Sequence, residues 1–136
     1  KGELEPNKAA DKYRKDIEHF FADNEIKFDL ILLGMGEDGH LASLFPGSRE
    51  LALKNNLVLA TEEKYGGFHR ISLGLNLINN SKYNLLLVNS VEKINILESE
   101  DNRYPINQLK NKIKKNVIFK FLEHRNGMIN QFLILT

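Results

Sequence analysis

An acid and an imidazole lie two residues apart in a glycine-rich stretch of this chain. Asp38 and His40 are surrounded by Gly34, Gly36 and Gly39. Glycines let a backbone approach a ligand closely and can aim N–H groups at developing negative charge. The acid can fix the tautomer and orientation of the imidazole, which can then move protons near neutral pH. The spacing alone equally allows a structural role, in which the imidazole caps a turn and the acid stabilises the loop.

The same three glycines also fit a dinucleotide site. They have the G-x-G-x-x-G spacing, and Glu62 and Glu63 follow about 20 residues later, as the ribose-binding acid does in such sites. However, Pro46 and Gly47 would break the crossover helix about two turns after the third glycine. The pattern therefore favours acid–base chemistry over nucleotide binding.

Regular elements must position this loop. Apolar residues recur at helical spacing from Ala10 to Phe21, which predicts an amphipathic helix that starts at Pro6 and Asn7 and ends near Asn24. The almost continuous apolar run Phe28–Leu33 is typical of a parallel strand covered on both faces. It predicts a buried central strand that delivers the loop at its carboxyl end, where open α/β sheets bind ligands.

In the rest of the chain, segments with the apolar pattern of strands alternate with segments that have the apolar spacing of helices. Strands are predicted at 57–61, 69–73 and 83–88, and helices at 75–80, 91–99 and 106–115. Asn126 and Gly127 separate strands at 117–123 and 129–135, a strong hairpin signal. We predict an α/β, Rossmann-like layered fold, in which helices flank a mostly parallel sheet and an antiparallel hairpin closes the C-terminal edge.

Composition is that of one ordinary domain over residues 1–136. Nineteen Lys and Arg residues balance eighteen Asp and Glu, without a long block of one sign, so we expect neither a nucleic-acid nor a membrane partner. The absence of cysteine excludes disulfides and thiolate metal sites. The longest aliphatic run, Leu30–Leu33, is far too short to span a bilayer. A cytoplasmic protein is the default expectation.

Residues Leu33 to Gly47, LGMGEDGHLASLFPG, resemble the signature of the 6-phosphogluconolactonases at nearly every position. Residues 28–33 resemble the strand that leads into that signature, and residues 69–73 (HRISL) resemble a later family segment. Lys93 stands where the family has Gly-x-x-Lys, although Asn or Ser replaces the glycine. The aromatic-Asp segment and closing helix that the family often shows at its end are absent.

The resemblance implies hydrolysis of 6-phospho-D-glucono-1,5-lactone to 6-phosphogluconate in the oxidative pentose phosphate pathway. His40 would deprotonate the attacking water and reprotonate the leaving ring oxygen, with Asp38 orienting it. Gly34, Gly36 and Gly39 would bind the substrate, and backbone N–H groups of this turn would face the oxyanion.

A phosphosugar lactone also carries a dianion, which calls for cations. Arg70 and Lys93 are the predicted phosphate-binding residues because they match basic family positions near predicted strand ends. Ser43 could hydrogen-bond the substrate or cap a short helix after His40. His69 is expected to be structural. No metal or cofactor is expected, since the four histidines have no ligand-like clustering.

Family members are considerably longer, and their glycine-rich phosphate loop and Asp-Glu-Arg motif are not found in this chain. We therefore expect the chain to be the second half of such an enzyme and its first half to pack against it. One alternative is a glucosamine-6-phosphate deaminase, although the stretch Leu41–Pro46 lacks the Asn-Glu typical of those enzymes. A non-catalytic phosphosugar-binding fragment, or a domain fused to the dehydrogenase that makes the lactone, are further alternatives.

Overall fold

The computed structural model describes residues 3–53, 55–110, 116–124 and 127–133, with side chains up to residue 109. The helices are α1 (Pro6–Phe21), α2 (Leu75–Asn79), α3 (Val91–Glu98) and α4 (Pro105–Lys110), and a 3-10 turn covers Arg49–Ala52. The strands are β1 (Leu30–Gly34), β2 (Val58–Ala60), β3 (Ile71–Leu73), β4 (Tyr83–Val88), β5 (Asn116–His124) and β6 (Gly127–Leu133).

A four-stranded sheet organises the fold, with strand order β1-β4-β5-β6. Strands β1, β4 and β5 run parallel, and β6 runs antiparallel to β5. The predicted α/β class and C-terminal hairpin are therefore confirmed. Asn126, the first residue of the predicted turn signal, lies outside the described residues.

One face of this sheet is covered by the helices. Leu33 on β1 and Leu86 and Val88 on β4 are buried against Ile78 of α2 and Leu97 of α3. Fully burying an aliphatic side chain contributes about 1.5–3 kcal/mol, so this layer is the main stabilising core of the described chain. It holds β1, and hence the loop that follows β1, in place.

The opposite face of β1 and β4 is apolar, and the described residues leave it bare. Leu30 and Leu32 are 53% and 63% exposed, and Tyr83 and Leu87, which lie on the same face of β4, are also exposed. β1 is moreover the outer strand of the described sheet. The prediction of a buried central strand covered on both faces is therefore wrong for this chain taken by itself. Side chains alternate along a strand, and the described helices cover only one of the two faces.

Strands β2 and β3 form a separate two-stranded antiparallel sheet. A connection of only ten residues, 61–70, allows an antiparallel pair, whereas a parallel pair needs a longer crossover. Helix α1 packs on this ribbon through Ala10 and Ile17, which join Val58 and Leu77 in a second apolar cluster.

Helix α1 starts as predicted but ends earlier. The Glu5 carboxylate accepts hydrogen bonds from the amides of Asn7 and Lys8 and caps the helix. The helix ends at Phe21 instead of near Asn24. Phe20, one of the residues with helical apolar spacing that predicted a buried face, is 79% exposed.

Candidate active site

The loop that follows β1 folds back on itself through its glycines. The Gly36 amide donates to the His40 carbonyl over 3.0 Å, and the Gly39 amide donates to the Gly36 carbonyl over 3.1 Å. Gly39 has a φ of +80°, a conformation that side chains of L-residues rarely adopt. This tight turn brings Asp38 and His40 to the carboxyl end of β1.

Asp38 and His40 form a hydrogen-bonded pair. Oδ1 of Asp38 lies 2.6 Å from Nδ1 of His40 and also accepts the His40 backbone amide over 3.1 Å. Partial burial by itself raises the pKa of the Asp38 carboxyl, but the hydrogen bonds from the His40 amide and ring outweigh burial and hold that pKa below its ordinary value. Asp38 is therefore an ionised acceptor near neutral pH, and it fixes the orientation of the imidazole.

Two of the glycines make room for neighbouring rings. The His40 imidazole occupies the space that a side chain at Gly36 would fill. In the same way, the ring of Tyr104, which precedes α4, packs against the Cα of Gly39. Gly34 has no such neighbour, since a Cβ there would meet nothing within 4 Å.

One further aromatic ring lies beside the imidazole, and a second ring stacks on the first. The Phe45 ring centroid is 4.6 Å from that of His40, and the Tyr65 ring stacks on Phe45 at 3.4 Å. Sequence reasoning missed both residues, and it missed Tyr104. Phe45 lies within the signature stretch, whereas Tyr65 and Tyr104 carry no sequence signal because their contacts join distant segments.

The residues after His40 form a turn rather than a helix. Leu41 and Leu44 exchange two backbone hydrogen bonds around Ala42 and Ser43. No helix starts at Ser43, so the alternative that it caps one is wrong. Its backbone amide donates to Oγ of Ser72 over 3.1 Å. With no crossover helix after the third glycine, the dinucleotide interpretation fails as well.

A pocket of about 460 Å³ opens beside the imidazole. Gly34, Gly36 and His40 line it on the loop side, and the apolar side chains of β1, together with Leu73 and Ile78, line the remainder. The pocket thus joins the candidate catalytic imidazole to the open edge of the sheet.

The two predicted cations lie outside this pocket. Nη2 of Arg70 donates to the Tyr65 carbonyl over 2.8 Å, and Nζ of Lys93 donates to Oδ1 of Asn89 over 2.8 Å. His69, which we expected to be structural, has Nδ1 2.9 Å from the Thr61 carbonyl oxygen. The structure therefore brings Asp38, His40 and the glycines together in one loop beside the pocket. It does not bring Arg70 or Lys93 into the pocket lining.

Comparison with known proteins identifies the family of this chain. A sequence model of the family described as glucosamine-6-phosphate isomerases/6-phosphogluconolactonase matches residues 1–118. The chain belongs to this family. The same family model covers β1, the loop with Asp38 and His40, and β4.

Individual relatives within the family are named as lactonases. The chain is 40% identical over 103 residues to the rabbit GDH/6PGL endoplasmic bifunctional protein. This match covers 74% of this chain and 13% of the rabbit protein. It is 34% identical over 110 residues to a 6-phosphogluconolactonase of Synechocystis. This match covers 74% of this chain and 45% of the Synechocystis protein. The cytoplasmic location stays a prediction, since the rabbit relative is named endoplasmic.

The solved structure of a 6-phosphogluconolactonase from Thermotoga maritima has the same fold. It superimposes with a TM-score of 0.71 at 34% identity and covers 88% of this chain but 53% of its own. The chain thus spans about half the length of this structure and less than half of the curated relatives above.

The described residues offer neither a metal cluster nor a membrane-spanning helix. In residues 3–53, 55–110 and the two C-terminal strands, no group of three or more His, Cys, Asp or Glu side chains could hold a metal ion. No helix in the part of the chain that the structure describes is both long and apolar enough to span a bilayer.

Proposed function

We propose that this chain carries the catalytic residues of a 6-phosphogluconolactonase, which hydrolyses 6-phospho-D-glucono-1,5-lactone to 6-phosphogluconate. The observation that carries the proposal is the Asp38–His40 pair, with 2.6 Å between Oδ1 and Nδ1, beside a pocket at the carboxyl end of β1. The names of the relatives support the choice of substrate.

In the proposed reaction the imidazole moves one proton twice. Asp38 accepts the Nδ1 proton of His40, which leaves Nε2 as the nitrogen that accepts a proton. Nε2 takes a proton from water as the water oxygen bonds to the lactone carbonyl carbon. The tetrahedral intermediate then collapses, the bond from carbon to the ring oxygen breaks, and Nε2 returns the proton to that oxygen. The product is an open-chain acid that ionises.

The oxyanion of that intermediate requires hydrogen-bond donors. The Gly36 and Gly39 amides already donate to carbonyls within the loop. The amides of Glu37 and Asp38, which lie between them in the same turn, have no backbone acceptor among the described residues. We therefore propose these two amides as the backbone donors for the oxyanion, while Gly34, Gly36 and Gly39 shape the substrate site.

The substrate phosphate is proposed to lie near Arg70 and Lys93. Neither side chain takes part in the ion pairs of the described residues, and each donates only to a neutral oxygen. Both therefore keep a full charge for a dianion. Lys93 lies on α3, which follows β4. Because β4 runs parallel to β1, its carboxyl end lies at the same end of the strands as the loop with His40. Ser43, in the turn after His40, is proposed as a further polar contact.

A hydrolysis assay tests the central claim. The complete protein that contains this chain is added to freshly generated lactone, and acid release is followed above the spontaneous rate. We expect His40→Asn to lower kcat by about 10²–10⁴-fold, the range that general acid–base groups contribute. The matched control is His19→Asn, since His19 is exposed on α1 and lies outside the loop that carries His40. Equal activity of wild type and His40→Asn would overturn the assignment of His40.

Two alternatives are separated by the same preparations. The family description includes glucosamine-6-phosphate isomerases, so glucosamine-6-phosphate is offered as a second substrate. Turnover of the amino sugar without turnover of the lactone would favour a deaminase. Binding of 6-phosphogluconate without turnover of either compound would favour a phosphosugar-binding domain.

We also propose that the first half of the enzyme covers the bare sheet face. The argument rests on the exposed apolar side chains of Leu30, Leu32 and Leu87, on the open edge of β1, and on a related structure about twice as long. An exposed strand edge with apolar neighbours calls for another strand or helix.

A charge placed on that face tests the packing. We expect Leu32→Lys to lower the Tm of the complete protein by several degrees, because a lysine would be buried without a partner. The control is Leu53→Lys, at a residue that is 45% exposed and outside the four-stranded sheet. Equal Tm values for the two variants would contradict the proposed packing.

A further inference from the structure

Among the described residues, the His40 ring has a hydrogen-bond partner at Nδ1 only. Its Nδ1 atom meets Asp38, while Nε2 is the atom that the proposed reaction uses. A single hydrogen bond lets a ring pivot about the bonded atoms, whereas acid–base catalysis needs the reacting nitrogen within about 0.5 Å of its productive position. Something else must therefore limit the pivot of the imidazole.

Packing against the ring supplies that limit. The imidazole lies against the Cα of Gly36. The Phe45 ring is also in contact with it, with centroids 4.6 Å apart and planes tilted by 36°. Phe45 is itself on an irregular segment, so its own position needs support.

Tyr65 gives Phe45 that support. The two rings stack with centroids 3.4 Å apart and an angle of 3° between their planes. Tyr65 lies 20 residues further along the chain, in the connection between β2 and β3. Burial raises the pKa of the Tyr65 hydroxyl, and the charges of Glu63, Glu50 and Asp38 raise it further. The ring is therefore neutral near neutral pH, and its stacking does not change with pH there.

The connection that carries Tyr65 is tied down at several points. The Tyr65 amide donates to the Phe68 carbonyl over 2.9 Å, and the Arg70 guanidinium donates to the Tyr65 carbonyl over 2.8 Å. At the base of the turn, the Thr61 amide donates to the Arg70 carbonyl, and the Arg70 amide donates to Oγ1 of Thr61. The ring thus rests on a hydrogen-bonded hairpin.

We propose that Tyr65 is a positioning residue that holds the His40 imidazole through Phe45. The proposal rests on the proposed hydrolysis at His40. It assigns a task to the connection between β2 and β3, two strands that are not part of the four-stranded sheet. Tyr65 touches no reacting atom in this role.

Two readouts test the proposal in the complete protein. The first is the carbon-bound proton signals of the His40 ring in NMR spectra, which the Phe45 ring current shifts away from the free-histidine position. The second is the steady-state rate. For Tyr65→Ala we expect the His40 signals to move toward the free-histidine position, and kcat to fall about two- to tenfold with KM within about twofold.

Matched variants separate the ring from the hydroxyl and from the hairpin. Tyr65→Phe keeps the ring, so we expect it to restore both readouts. Phe68→Ala removes an aromatic side chain that is 69% exposed in the same turn, and we expect both readouts to stay at wild-type values. If Tyr65→Ala does not fold, Tyr65→Leu, which keeps the bulk without the aromatic ring, is measured in its place.

The outcomes separate this inference from the proposed function. An active enzyme whose kcat is the same in wild type and in Tyr65→Ala, or in Tyr65→Leu where that variant replaces it, would overturn the positioning role. Unchanged His40 signals in that variant would overturn it as well. A protein without lactonase activity whose His40 signals still move would support the contact through Phe45, and the hydrolysis alone would fail.

Discussion

The imidazole of His40 lies directly against the Cα of Gly36, in the space that a side chain at that position would fill. The two residues are also joined through the backbone, since the Gly36 amide donates to the His40 carbonyl. Glycine at position 36 is therefore a condition for the Asp38–His40 pair, because a larger residue would move the ring that the acid orients.

Gly36→Ala is expected to displace the imidazole. A methyl group would overlap the ring, and a shift of about 1 Å in a catalytic group can lower a rate about 10²-fold. We expect kcat to fall by one to two orders of magnitude, measured by acid release from the lactone. Gly34→Ala is the folding control, since a Cβ there meets nothing within 4 Å, and its Tm should match that of the wild type. Full activity of Gly36→Ala would contradict the contact.

The Asp38 carboxyl is expected to titrate below its ordinary range. Hydrogen bonds from the His40 amide and ring lower its pKa despite partial burial. The stabilisation from this pair is therefore fully present above the ordinary carboxyl pKa and is lost as the pH falls through the lowered one. The carboxyl carbon signal in NMR spectra would report the midpoint.

The same titration in His40→Asn isolates the contribution of the ring. We expect the Asp38 midpoint to rise, because the bond donated by the ring is lost while the backbone amide at position 40 remains. A midpoint that is the same in wild type and His40→Asn would show that the ring does not donate to Asp38.

Glu50 is expected to stabilise the start of the β2–β3 connection. Its side chain is 4% exposed and accepts the Glu62 backbone amide over 2.7 Å. Glu50→Ala leaves that amide without its acceptor, which should cost about 1–3 kcal/mol in the free energy of unfolding, measured with urea. Glu63→Ala, at an exposed neighbour, should change it by less than about 0.5 kcal/mol. Equal losses would contradict the buried contact.

The effect of Glu50 should also depend on pH. Burial raises the pKa of this carboxyl, but hydrogen bonds from backbone amides outweigh burial and lower it overall. The difference in the free energy of unfolding between wild type and Glu50→Ala should thus be largest near neutral pH and shrink as the solution becomes acidic.

Leu44→Ala should destabilise the turn after His40. Leu44 is completely buried in the main core and pairs with Leu41 through two backbone hydrogen bonds. Removing a buried leucine side chain costs about 2–5 kcal/mol, and we expect a loss in that range by urea unfolding. Leu53→Ala is the exposed counterpart and should cost much less. A small loss at Leu44 would mean that the core does not include this turn.

Much of the site was readable from the sequence because its determinants are local. Asp38 and His40 are two residues apart, and they lie with the three glycines within the seven residues 34–40. The apolar run before them identified the strand, and Asn126 and Gly127 identified the hairpin, since both signals act over a few residues.

The alternative that Ser43 caps a short helix after His40 failed, because the segment is a turn. A residue type that favours helix capping does not show that a helix follows it. The two hydrogen bonds between Leu41 and Leu44, and the bond from the Ser43 amide to Ser72, decide in favour of the turn. Ser72 is 29 residues away, so tertiary contact overrides the local preference.

By itself, the sequence determined the fold class, the strand that carries the loop and the acid–imidazole pair, because hydrophobic period and glycine positions act within one element. Only the tertiary structure decided that β1 lies at an edge with Leu32 exposed, and that Tyr65 stacks on Phe45 beside His40. Strand pairing and ring stacking depend on contacts between residues that are far apart in the chain. A local sequence pattern does not report the free energy of such contacts.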